Sequence, residues 1–202
     1  MKLLRSIGAT LVLLSLYSVS GEAQSGFGTR PTVGVFGGVT LPYGDFGDQV
    51  GIGAHAGGLI SIRAYKQLDL RLDGAWNKFA DKKIEFSDAT VETYAKVLYG
   101  SLGGVLNMGP DSSAYPGDRA VTPFLSFGGG VYRLDFDEEC TGNCGDPSEA
   151  RSYFGTNLGA GTNATYGPLH PMIEARWHRI WRDSNHGGGR SFFTISAGLR
   201  FR

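Results

Sequence analysis

The sequence predicts an all-β protein: an eight-stranded antiparallel up-and-down transmembrane β-barrel preceded by a cleaved signal peptide. Three observations carry this reading. Apolar residues recur with a period of two along almost the whole chain, as a strand with one apolar face requires. The segments showing that period are separated by connections that alternate between short and long. Finally, 32 of the 202 residues are glycine, which destabilises helix interiors and speaks against a helix-rich enzyme. Few prolines and no G-X-Y period exclude a collagen-like chain. The balance of 19 Lys plus Arg against 19 Asp plus Glu leaves no electrostatic footprint for nucleic acid.

Residues 1–23 have the makeup of a signal peptide. Met1, Lys2 and Arg5 form a basic start, residues 7–17 an apolar run, and Gly21 and Ala23 occupy the small-residue positions of a cleavage site. The apolar run is shorter than the roughly 20 residues a membrane helix needs. Cleavage after Ala23 leaves Gln24 first, with 24–31 as a periplasmic lead and 32–202 as the barrel domain.

The strands follow in order. Residues 33–41 and 52–64 alternate weakly. Segment 68–79 is the clearest, with Leu68, Leu70, Leu72, Gly74 and Trp76 on one face and Asp69, Arg71, Asp73 and Asn77 on the other. Between 91 and 108, Leu98, Leu102 and Leu106 switch parity against Val97 and Tyr99, which predicts a β-bulge. Segments 121–133 and 153–166 are again weaker. In the seventh strand Pro171, Ile173, Ala175 and Trp177 oppose His170, Met172, Glu174, Arg176 and His178. In the last, Phe193, Ile195, Ala197, Leu199 and Phe201 oppose Thr194, Ser196, Gly198 and Arg200.

Such strands, read as roughly 9 to 13 residues, suit a tilted crossing of a hydrocarbon core about 30 Å thick. Connections 42–51, 81–90, 134–151 and 182–190 are long and polar, whereas 65–67 and 167–168 are tight; 109–120 departs from the alternation by its length. A soluble β-sandwich would also alternate, but with its polar face outward. Opposite charges spaced two apart, as in Asp69-Arg71-Asp73 and Glu174-Arg176, instead suit the interior of a small barrel. Asp69, Arg71, Asp73, Glu174, Arg176 and His178 are therefore expected to form one lumen network, while Trp76, Trp177 and Trp181 form an aromatic interface belt. Lys78 and Arg179, two residues farther out on the lipid-facing rows, are placed to meet lipopolysaccharide phosphates.

Several stretches resemble the small outer-membrane β-barrel proteins of bacteria, the OmpA/OmpW-like and opacity-protein-like group. They are Leu41-Pro42-Tyr43-Gly44-Asp45-Phe46, Pro123-Phe124-Leu125 leading into Gly128-Gly129-Gly130-Val131-Tyr132, Asn157-Leu158-Gly159-Ala160-Gly161, Glu174-Ala175-Arg176-Trp177-His178, and Ala197-Gly198-Leu199-Arg200-Phe201. The resemblance implies residence in the outer membrane, contact with its lipid and lipopolysaccharide, and insertion by the barrel-assembly machinery.

Other patterns carry less. Gly159-x-Gly161-x-x-Ala164 matches a dinucleotide fingerprint formally, yet no helical pattern follows. His186-Gly187-Gly188-Gly189 resembles an oxyanion-hole sequence, but no G-x-S-x-G supplies a nucleophile. The spacing of His55, His170, His178 and His186 suits no metal. Cys140 and Cys144, in an exported chain and flanking Gly142-Asn143, are expected to form a disulfide rather than a two-thiolate metal site. No cofactor and no catalytic residues are expected. The expected role is a non-enzymatic scaffold or surface-contact protein; narrow passage of small apolar solutes, or lipid A modification, is the alternative.

Overall fold

The computed structural model describes residues 31–86, 89–109, 121–140, 150–165, 169–182 and 189–201. The signal peptide, most of the periplasmic lead and the Cys140–Cys144 pairing lie outside the described residues.

Strands β1 (Thr32–Tyr43), β2 (Gly51–Tyr65), β3 (Leu68–Ala80), β4 (Lys82–Phe86), β5 (Ala89–Asn107), β6 (Val121–Cys140), β7 (Arg151–Ala164), β8 (Leu169–Ile180) and β9 (Arg190–Phe201) form one sheet, and a short helix α1 (Asp45–Gln49) follows β1. The order β3-β2-β1-β9-β8-β7-β6-β5-β4 closes through an additional β3–β5 pairing, and every pairing is antiparallel. Strand β4 continues β3 along the same neighbour: Lys78 faces Lys96 and Lys82 faces Thr93, a slip of one residue at Asp81. The nine segments therefore make an eight-stranded closed barrel. Closure matters because an open edge would leave amides unpaired in lipid.

The exterior is apolar. Val35, Leu70, Leu72, Leu102, Phe127, Val131, Phe154, Leu158, Ile173 and Ile195 are all exposed, and they stand on the same outward rows that the alternation assigns to lipid. Strand β5 departs from expectation. Its register runs without a shift against both β3 and β6, so the predicted bulge is absent. Val97 and Tyr99 are instead buried inside the barrel, and Leu98 and Leu102 point outward. The parity conflict arose from assuming a wholly polar interior. Register irregularities occur on β2, between Gly51 and Ala54 and between Arg63 and Tyr65. Strands β5 and β6 run to 19 and 20 residues, longer than predicted, because they extend the wall into the segments read as loops.

Candidate functional site: a charge-closed lumen

Inward side chains sort into three layers along the barrel axis. The end that bears the termini holds an ion pair between Arg63 and Asp69. Asn107 Nδ2 donates to Asp69 Oδ2 at 3.0 Å, and Arg63 Nη1 donates to the carbonyl of Lys66 at 3.0 Å.

The middle layer is a ring of four charges. Arg71 donates through Nη1 and Nη2 to the two carboxylate oxygens of Glu174 at 3.2 and 3.0 Å, and through Nε to Asp73 Oδ1 at 3.2 Å. Arg176 donates to Asp73 Oδ2 at 2.7 Å and to Glu174 Oε2 at 2.8 Å. Ser101 and Ser126 supply hydroxyl donors to Asp73 and Glu174. The ring is electrically neutral and all four members are buried. Such burial is tolerable only when charges are paired and their remaining hydrogen-bonding capacity is filled. Gly159 makes room for it: a Cβ there would lie 2.6 Å from Ser126 Oγ and 2.9 Å from the Ala175 carbonyl oxygen.

Toward the loop end the lumen turns aromatic. Phe46 from α1 packs edge-on against Phe79 at 4.8 Å, and Phe79 against Phe192 at 5.7 Å. Phe192 stacks on His178 at 4.5 Å, with the two rings 5° from parallel. His178 meets Tyr99, which stacks on Tyr132 at 5.2 Å. Beside this column His55 joins Thr40 and Ser196 through hydrogen bonds of 3.2 and 2.8 Å, and Thr40 donates to Asn77.

Two corrections to the expected six-residue network follow. Asp69 is inward but engages Arg63 and Asn107, because it lies at the terminus-bearing end below the ring. His178 is inward and fully buried, but it makes no ion pair among the described residues; it hydrogen-bonds Tyr132 at 3.0 Å and Thr194 at 3.4 Å within the aromatic layer. The ring itself consists of Arg71, Asp73, Glu174 and Arg176. The column was missed, although parity already put Phe79 on the row of Asp69, Arg71 and Asp73, and Phe192 on the row of Thr194.

The three tryptophans take different positions. Trp76 is outward and 47% exposed, Trp177 is outward and half-buried, and Trp181 lies just past β8, 54% exposed, its Nε1 donating to Thr156 Oγ1 at 3.3 Å. Lys78 is exposed, and Arg179 lies over the Trp181 ring at 5.7 Å while donating to Ser191 Oγ at 3.0 Å. Gly159 to Ala164 lies within β7, so the formal dinucleotide fingerprint is strand and not a turn into a helix.

An eight-stranded closed barrel with an apolar exterior and a filled interior has the fold of the small β-barrels that span the bacterial outer membrane. Among solved structures it is similar to Neisserial surface protein A, with a TM-score of 0.59 at 13% identity over 88% of this chain and 99% of that one. The N-terminal barrel domain of OprF from Pseudomonas aeruginosa gives 0.48 at 14% identity, over 84% of this chain and 97% of that one. Ail, the attachment invasion locus protein of Yersinia pestis, gives 0.47 at 15% identity, over 88% and 100%. No protein-family model and no curated protein sequence matches the chain.

Proposed function

We propose that the protein is a non-enzymatic envelope scaffold: a closed barrel that anchors in the outer membrane and presents its long connections for surface contact. The observation that carries this is the neutral ring of Arg71, Asp73, Glu174 and Arg176 across the lumen, capped by the column from Phe46 to Tyr132. Eight strands enclose an interior just wide enough for side chains, so a filled lumen disfavours passage of solutes. The outward Trp76, Trp177 and Trp181, with Lys78 and Arg179 near them, support contact with outer-membrane lipid and lipopolysaccharide at the interface. Insertion is assigned to the barrel-assembly machinery, which the aromatic-rich last strand suits.

Single-channel recording in planar bilayers tests the closed scaffold, and the expected record is flat. A steady open-channel current from the unmodified protein would overturn it in favour of a narrow conduit. Lipid A acyl-chain masses compared with and without the protein separate scaffold from enzyme, and a lost or gained chain sinks the non-enzymatic reading.

A further inference from the structure

Two imidazoles are built into the loop-end half of the lumen, and the hydrogen bonds around each leave it a single proton. Asn157 Nδ2 donates to Tyr132 Oη at 3.3 Å, so the phenol gives its own proton to His178 Nδ1. Thr194 Oγ1 donates to the Arg176 carbonyl oxygen at 3.5 Å and accepts from His178 Nε2–H. His55 is fixed in the other tautomer. Asn77 Nδ2 donates to the Val97 carbonyl oxygen at 3.0 Å, which leaves its Oδ1 to accept from Thr40. Thr40 spends its proton there and accepts from His55 Nδ1–H, while Ser196 donates to His55 Nε2. Both rings are thus neutral, with every nitrogen engaged.

A second proton on either ring meets no uncommitted carboxylate among the described residues. The charged and titratable groups facing them are Arg176 and Glu174 on β8, Arg71 on β3, Tyr99 on β5, Tyr132 on β6 and the other imidazole. Across Phe46 stands a further cation, Arg190 on β9, while Asp45 and Asp48 of α1 are exposed. Glu174 and Asp73 are each already held by both ring arginines. An added charge is therefore unpaired, close to Arg176, in a layer where His55 and His178 are buried. Stacking on Phe192 returns less than the hydration that the cation forgoes. The top of this layer can yield without breaking the wall, because Phe46 is delivered by the five-residue helix α1 and not by a strand.

We propose that His55 and His178 make the aromatic column an acid-released latch: protonation drives α1 and Phe46 out of the loop-end mouth and lets water reach the imidazoles, while the charge ring beneath stays shut. Acid then bares the faces of Phe79 and Phe192 at that mouth, which neutral conditions keep covered. The proposal goes beyond the scaffold reading and stands whether or not the barrel conducts.

The test follows the full barrel by NMR in zwitterionic detergent from about pH 7.5 to about pH 4.5, across the imidazole range. The ring C–H signals of His55 and His178 report protonation. Exchange protection of the Val50 amide, which donates to the Phe46 carbonyl at 3.2 Å, reports the seat of α1. In the imidazole range Val50 should lose about tenfold of its protection per pH unit for each proton taken up, with the Arg71 Nε–Hε signal unmoved. In the double variant His55→Gln, His178→Phe, checked for folding by its heat-modifiable gel mobility, that loss should vanish. Should the variant fail to fold, the native chain decides alone: both imidazoles must titrate over the pH range in which Val50 loses protection. Val50 protection that holds down to about pH 4.5 overturns the latch, whether or not the imidazoles titrate. A loss without imidazole titration, a loss that persists in the double variant, or one accompanied by movement of the Arg71 signal overturns it equally.

Discussion

Arg71 on β3 and Glu174 on β8 meet across the closed lumen as a two-pronged pair, at 3.2 and 3.0 Å, although 103 residues separate them in sequence. Neither strand is a hydrogen-bonded neighbour of the other. The pair spans the interior, and Asp73 and Arg176 close it into a ring. Removing one member therefore strands another charge in a narrow, buried space.

Arg71→Ala or Arg176→Ala is expected to destabilise the barrel by about 3 to 5 kcal/mol, read from urea unfolding in lipid vesicles. Asp73→Asn combined with Arg176→Ala should cost less than the sum of the two single changes, because the residues are in direct contact. Strict additivity would mean the ring is not coupled. The single arginine variants should also show brief conductance steps that the native protein lacks.

The outward rows are tested by charge insertion. Leu70 and Ile173 are 42% and 61% exposed on the lipid-facing surface. Changing either to Arg should cost on the order of 2 to 4 kcal/mol near mid-membrane. A cost near zero at both sites in a reversible folding assay would contradict their placement in the hydrocarbon core.

The aromatic column and the charge ring make different contributions. Phe79→Ala or Phe192→Ala removes a fully buried ring and should cost about 3 to 5 kcal/mol. Conductance should remain flat in both, because the ring below still blocks the lumen. Open-channel current in Phe192→Ala with an intact charge ring would move the barrier to flow into the aromatic layer.

Gly159 faces the ring closely enough that a methyl group collides with Ser126 Oγ and with the Ala175 backbone carbonyl. A side-chain hydroxyl can rotate away, whereas the carbonyl belongs to the neighbouring strand and cannot. Gly159→Ala should therefore cost about 1 to 3 kcal/mol, measured by the same urea titration. Gly100, with open space around its Cβ position, provides the control, and Gly100→Ala should fold nearly as well as the native chain.

Much of this architecture was legible in the residues. The strict alternation over 68–77 put Asp69, Arg71 and Asp73 on one row and the leucines on the other, and those rows are inward and outward in the barrel. What misled was chemistry assigned to a face. Taking the interior as polar turned Val97 and Tyr99 into evidence for a bulge, when β5 is regular and its interior is locally apolar. The same assumption hid Phe79 and Phe192. Helix α1 was also missed, because five residues inside a connection carry no periodic signal, yet α1 delivers Phe46 to the top of the column.

By itself, the sequence determined which residues of β3, β8 and β9 share a face, because the pleat turns successive side chains to opposite sides and only an apolar row can meet lipid. The tertiary structure decided which inward residues meet. Closure of β3 on β5 and of β1 on β9 sets every strand at a height relative to the others. Depth along the axis then sorted six inward residues of the same parity into separate layers. Asp69 went to Arg63, His178 to Phe192 and Tyr132, and only Arg71, Asp73, Glu174 and Arg176 reached the same level. Pairing at 3 Å depends on that height, and alternation along a single strand carries no information about it.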